Sequence, residues 1–83
     1  MWFTYLLLCK DGSIYTGITN NLKKRLAAHK AGKGGSYTRA HRPEKIIYFE
    51  KFKAKSTALK REIAIKRMNR ASKLSLTGLS RQL

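Results

Sequence analysis

Only four acidic residues stand against 19 lysines and arginines in this chain of 83, so the placement of each acid is informative. Asp11 precedes Gly12 in a turn pattern, where aspartate serves the backbone. Glu44 and Glu50 flank or lie in an apolar run. Glu62 is different: at helical spacing it falls between Leu59 and Ile63, partly inside an apolar stripe, with Lys60, Arg61, Lys66 and Arg67 around it. It reads either as an i,i+4 partner of Lys66, in the favourable acid-first order and worth about 0.2–0.5 kcal/mol, or as a carboxylate at the core edge that binds a hard divalent cation, which prefers oxygen ligands. Arg25 and His29 are four residues apart, so both lie on one side of a helix. By residue type alone they are a member of a basic face and a core-edge histidine. Tyr5 and Tyr15 read as core aromatics whose hydroxyls reach a partner, and Cys9 as a small buried hydrophobe. His41 is a loop residue with no assigned role.

The elements that must carry these residues follow from pattern. Trp2–Cys9 and Ser13–Thr19 are β-type runs on either side of Lys10-Asp11-Gly12, which predicts a β-hairpin with both strands substantially buried. A two-residue Asp11-Gly12 turn would pair Leu8 with Tyr15 and send the two tyrosines to opposite faces. A three-residue loop with left-handed Gly12 pairs Leu7 with Tyr15 and unites them, and this longer loop is the expectation. Asn20-Asn21 offers an N-cap for a helix over 22–30, with Leu22, Leu26 and His29 on one face and Gly32 as its stop. The stretch 32–42 reads as an exposed basic loop ending at Pro43. A third strand over 44–53 follows. A second helix, capped by Ser56 or Thr57, should run to about Asn69 with Leu59 and Ile63 inward, and a shorter third helix from Ala71 should use Leu74, Leu76 and Leu79. The order β-β-α-β-α-α defines an α+β fold: a small three-stranded antiparallel sheet flanked by helices, in one domain over 1–83.

Composition closes off several classes. Apolar residues make up 42% and charged residues 28%, a globular rather than disordered balance. One cysteine cannot form an internal disulfide, and one Cys with two His cannot build the usual structural zinc site. The longest apolar run, Trp2 to Cys9, falls far short of the roughly 20 residues of a membrane span, and it does not read as a signal peptide. A soluble protein of a reducing compartment, the cytoplasm, is expected. A net charge of +15 answers to a polyanionic partner.

Tyr15-Thr16-Gly17, followed by Asn21-Leu22-Lys23-Lys24-Arg25, resembles the second half of the GIY-YIG nuclease signature. Phe3-Thr4-Tyr5 falls where the first half belongs. His29, four residues after Arg25, and the helix-borne Glu62 continue the family's order. Phe3, Thr4 and Thr16 stand where that signature has glycine or isoleucine, and these are packing positions. The resemblance spans essentially the whole chain and is closest to the small stand-alone branch. It implies a divalent-metal phosphodiesterase that cuts DNA, one strand per site, with one Mg²⁺ or Mn²⁺. Carried over by position, Glu62 would hold the metal and Arg25 would stabilise charge on the scissile phosphate. Tyr15 would contact or deprotonate the attacking water, while Tyr5 and His29 position it and share proton traffic. Tyr15 and His29 both remain open as the base. Such chemistry needs a cation against developing charge and a poised base, and a phenol with pKa near 10 is helped toward phenolate by neighbouring cations.

A second layer is the basic surface. Lys30, Lys33, Arg39 and Arg42 lie in or near the glycine-rich loop, and Lys60, Arg61, Lys66, Arg67, Arg70 and Lys73 crowd the second helix and the turn beyond. Contacts of this kind position nucleic acid, DNA first, without reading sequence. No membrane partner is expected, and a monomer is the default. The alternatives to a nuclease are a nucleic-acid-binding module with little or no catalysis and a basic adaptor for proteins or the ribosome.

Overall fold

The computed structural model describes residues 1–78. Strands β1 (Trp2–Cys9) and β2 (Ile14–Thr19) form the hairpin, with Leu7 opposite Tyr15 and Tyr5 opposite Gly17. The connection is the three-residue one. Cys9 N–H donates to Ser13 O at 2.9 Å, Gly12 N–H donates to Cys9 O at 3.0 Å, and Gly12 sits at φ +86°. That left-handed corner is open to glycine at no steric cost. Its consequence is parity: Tyr5, Tyr15 and Gly17 share one face of the sheet.

Strand β3 (Pro43–Phe52) pairs antiparallel with the other side of β1, giving the order β2-β1-β3. Its register shifts between Leu6 and Leu7 and again between Leu8 and Cys9, leaving Ile47 and Glu44 without a β1 partner. Such bulges twist an edge strand and blunt its pairing with other chains.

Helix α1 (Leu22–Lys30) starts at Asn21, whose side chain accepts from Lys24 N–H at 3.0 Å, and stops where Gly32 turns left-handed at φ +77°. The stretch expected to be loop contains a short helix, α2 (Ser36–Ala40). Five residues are too few to show a helical period in sequence; what holds this turn is tertiary, namely Thr38, 2% exposed, against His29.

Helix α3 (Lys55–Lys66) and helix α4 (Arg70–Thr77) correct three expectations. Residue Ala54, not Ser56 or Thr57, occupies the N-cap of α3. The helix ends at Lys66 because Asn69 caps α4 instead, accepting from Ser72 N–H at 2.8 Å. The inward stripe is not Leu59 and Ile63, which are 38% and 51% exposed, but Ala58 and Ile65. Thr4 Oγ1 donates to Ala58 O at 2.8 Å, so the small-residue side of the helix lies against the strand. Glu62, four residues after Ala58 and three before Ile65, therefore keeps an inner position and is 16% exposed. Leu74 is buried as expected, and Leu79 lies outside the described residues.

Neighbouring residues on a strand point to opposite faces. Tyr5 meets His29 of α1, and Thr4 meets Ala58 of α3, so the sheet is sandwiched between those two helices. Leu6, Leu7, Cys9, Ala58, Ile65 and Leu74 form the core. Cys9 is a free buried thiol, as its type suggested, and burial raises its pKa. Among the described residues no helix is long and apolar enough to cross a membrane.

Candidate active site

The Tyr5 side chain reaches over β2 at Gly17, and its neighbour there has to be glycine. A Cβ on Gly17 would come within 2.7 Å of Tyr5 Oη and 2.8 Å of the Tyr15 ring, so only a bare backbone lets both phenols close over it. Their ring centroids are 6.3 Å apart. Helix α1 brings two more groups to the same point. His29 Nε2 is 2.7 Å from Tyr5 Oη, and Arg25 Nε–H donates toward that oxygen at 3.4 Å. Arg25 also interacts with Tyr15, and its terminal nitrogen donates to Gly34 O at 3.1 Å. His29 Nδ1 is 2.8 Å from Thr38 Oγ1. One proton placement satisfies every partner: Tyr5 accepts from Arg25 and donates to His29 Nε2, while the Nδ1–H of His29 donates to Thr38.

Burial decides the protonation of this group. It pushes the Tyr5 phenol up to about 12; the Arg25 hydrogen bond and charge pull down, and Tyr15 and the Glu62 carboxylate push up. Burial, with Arg25 second, lowers His29, so its imidazole is held neutral. Tyr5 and His29 are both 0% exposed, whereas Tyr15 and Arg25 are half-buried and reach solvent.

The other acids are occupied or remote. Asp11 accepts from Ser13 N–H and Oγ–H and pairs with His41 Nδ1 at 2.5 Å, interactions that hold its carboxyl far below the usual range. Glu50 takes both Nε–H and a terminal N–H of Arg61, at 2.9 and 3.0 Å, and the Tyr48 hydroxyl at 2.6 Å. Burial works to raise the Glu50 pKa, but those hydrogen bonds outweigh it. Glu44 is exposed. Glu62 alone is an inner carboxylate with only a loose partner, Lys66 Nζ at 3.8 Å, and its charge reaches Tyr5. No group of three or more His, Cys, Asp and Glu occurs among the described residues. A single weakly engaged carboxylate is nevertheless a donor set that suits Mg²⁺, which keeps most of its waters and takes further oxygens from a phosphate.

The basic residues divide. Lys30, Arg39 and Arg42 are exposed around one cleft, and Lys33 is exposed beside it. Lys60 and Arg67 are exposed on or just beyond α3, and Lys73 is half-buried on α4. Arg61, expected among the phosphate-contacting residues, is instead held by Glu50. Arg70 donates twice to Gly12 O, at 2.8 and 3.2 Å, and so pins the hairpin turn.

Sequence reasoning missed Gly34, Thr38 and Tyr37. A Cβ on Gly34 would fall 2.0 Å from His29 Nδ1, and its φ is not positive. Its glycine is thus there for close approach, not for a turn. Tyr37 lies against Tyr15, centroids 5.6 Å apart, and stacks on His41 at 4.3 Å. His41 in turn holds Asp11, which gives it a role in fixing the hairpin tip. No local signal singles them out, because Gly-Gly-Ser-Tyr-Thr reads as a loop and their roles come from contacts made on folding.

The structure thus sets a three-stranded antiparallel sheet between helices, with two phenols, a guanidinium and an imidazole gathered over a strand glycine. The chain matches the GIY-YIG catalytic domain over residues 1–75 and belongs to the GIY-YIG family. It is 50% identical over 74 residues to a UPF0213 protein of Cupriavidus pinatubonensis, covering 89% of this chain and 82% of that one. It is 51% identical over 76 residues to a UPF0213 protein of Clostridium perfringens, covering 92% and 82%. The solution structure of a UPF0213 protein from Bacillus halodurans superposes with a TM-score of 0.59 at 38% identity, over 95% of this chain and 85% of that one.

Proposed function

We propose that this protein is a divalent-metal-dependent endonuclease that hydrolyses phosphodiester bonds in DNA, one strand per site. The observation that carries the reading is the meeting of Tyr5, Tyr15, Arg25 and His29 over Gly17.

Glu62 would hold Mg²⁺ or Mn²⁺, and the ion supplies charge against the phosphoryl oxygens and the leaving group. Arg25 is fixed by Tyr5 and Gly34 O yet half-exposed, so its remaining N–H groups can donate to a phosphate oxygen where charge builds. Tyr15 is the phenol that solvent reaches, which favours it over His29 as the group in contact with the attacking water. Tyr5 keeps its proton and, through its hydrogen bond to neutral His29, holds the cluster in register. Tyr5 and His29 are thus positioning residues. Lys30, Lys33, Arg39 and Arg42 around the glycine-rich stretch, with Lys60 and Arg67 on and just beyond α3, position the duplex.

Supercoiled plasmid incubated with Mg²⁺ or Mn²⁺ tests this. Wild type should nick it, and Glu62→Gln and Arg25→Ala should not. Glu62→Gln, which keeps the side chain's shape, should leave stability within about 0.5 kcal/mol, since it loses only the loose i,i+4 pair with Lys66 at 3.8 Å. Equal nicking by all three proteins would overturn the proposal. Tight DNA binding with no nicking by wild type would favour the binding-module alternative, for which the +15 charge suffices.

A further inference from the structure

Behind His29, on the side away from Tyr5, lies an open cleft of about 550 Å³. Three separate segments build it. Lys10 comes from the end of β1, Lys30 from the last residue of α1, and Arg39 and Arg42 from α2 and the stretch after it. Backbone pairing ties two of these segments together, since Lys10 N–H donates to Arg42 O at 2.8 Å. All four cations are exposed at its rim, and none is in an ion pair among the described residues. Glu44 is the single acid there. The wall includes Thr38 and His29, so one imidazole ring separates this cleft from the Tyr5 hydroxyl.

Unpaired cations drawn from distant parts of the chain into one concavity repel each other, and an anion relieves that repulsion. An open cleft on a chain of this charge suits a continuous polyanion better than an enclosed metabolite. We infer that the cleft of Lys10, Lys30, Arg39 and Arg42 is a second phosphate subsite, which holds a backbone phosphate of the nucleic acid next to the one at the Tyr15–Arg25 site. This rests on the proposed nucleic-acid substrate. It adds Lys10, a hairpin residue, to the binding surface and gives the strand a direction across the protein, past His29.

The test compares charge removed from the cleft with equal charge removed elsewhere. Lys51 lies opposite Phe3 at the far end of the sheet, so Lys51 and Lys53 are roughly 23 Å from Lys10 by strand rise. A fluorescein-labelled duplex of about 20 base pairs is titrated by anisotropy without divalent metal, from about 50 to about 200 mM KCl. Arg39→Ala/Arg42→Ala should lower the slope of log K against log[salt] by up to about 1, for the one phosphate the subsite holds. Lys10→Gln/Lys30→Gln should do the same and guards against a folding defect in the first pair. Lys51→Ala/Lys53→Ala should leave the slope unchanged. Equal slope losses in all three pairs, or no loss in either cleft pair, would overturn the subsite. Cleft-specific losses in a protein that never nicks plasmid would remove the endonuclease reading and leave the subsite standing; nicking with equal slopes would do the reverse.

Discussion

Gly34→Ala puts one methyl group where there is no room for it. The new Cβ would lie 2.0 Å from His29 Nδ1 and 2.6 Å from two ring carbons, against about 3.4 Å for ordinary contact, so something must move by about 1.4 Å. The imidazole cannot swing aside freely, because it is fully buried and held at both nitrogens, by Tyr5 at 2.7 Å and Thr38 at 2.8 Å. Overpacking costs about 1–3 kcal/mol, and breaking one of those buried hydrogen bonds costs about 1–3 kcal/mol more. A loss of about 2–6 kcal/mol compares with about 4–12 kcal/mol for the whole stability of a chain this size. The melting temperature should therefore fall by at least about 8 °C. Imidazole NMR supplies the second readout, since the protein has only two histidines, and the His29 resonances should shift. Gly35→Ala is the control: nothing lies within 4 Å of its Cβ, so it incurs the strain of φ +124° alone and leaves His29 where it is. A Gly34→Ala protein with unchanged melting temperature and unshifted His29 signals would refute the packing argument.

Thr38→Val removes the hydroxyl at His29 Nδ1 while keeping shape; it should cost about 1–3 kcal/mol and lower nicking, with Thr38→Ser restoring both, checked by urea denaturation and the plasmid assay. The lowered pKa of His29 sets a pH dependence: the unfolded state takes up a proton first, so stability is full above about 6.5 and falls as pH drops below it, until the folded imidazole also protonates. Urea midpoints between about pH 7.5 and 5, in a His41→Gln background so that one imidazole titrates, should fall; a flat profile would contradict a neutral buried His29. Arg61→Ala strands Glu50 and Tyr48, and because the pair is part-exposed it should cost about 1–2 kcal/mol by thermal melting. Its DNA affinity should fall less than that of Lys60→Ala.

Much of this architecture could be read from local pattern. The hairpin, its three-residue loop and the shared face of Tyr5 and Tyr15 follow from strand parity and one left-handed glycine, interactions between near neighbours in the chain. The i,i+4 spacing of Arg25 and His29 placed both beside Tyr5 once α1 packed on that face. Tertiary structure decided what local pattern leaves degenerate. On α3, Leu59–Ile63 and Ala58–Ile65 are both possible inner stripes, and the contact of Thr4 with Ala58 O selects the second. Arg61 and Arg67 are alike in sequence; only Glu50, 11 residues upstream, makes one of them structural. Gly34 and Thr38 matter through an imidazole reached by folding rather than by adjacency, and no spacing rule links them to it. Side chains near in sequence are arranged by backbone geometry, whereas those brought together by packing depend on which of several equally good faces wins the core.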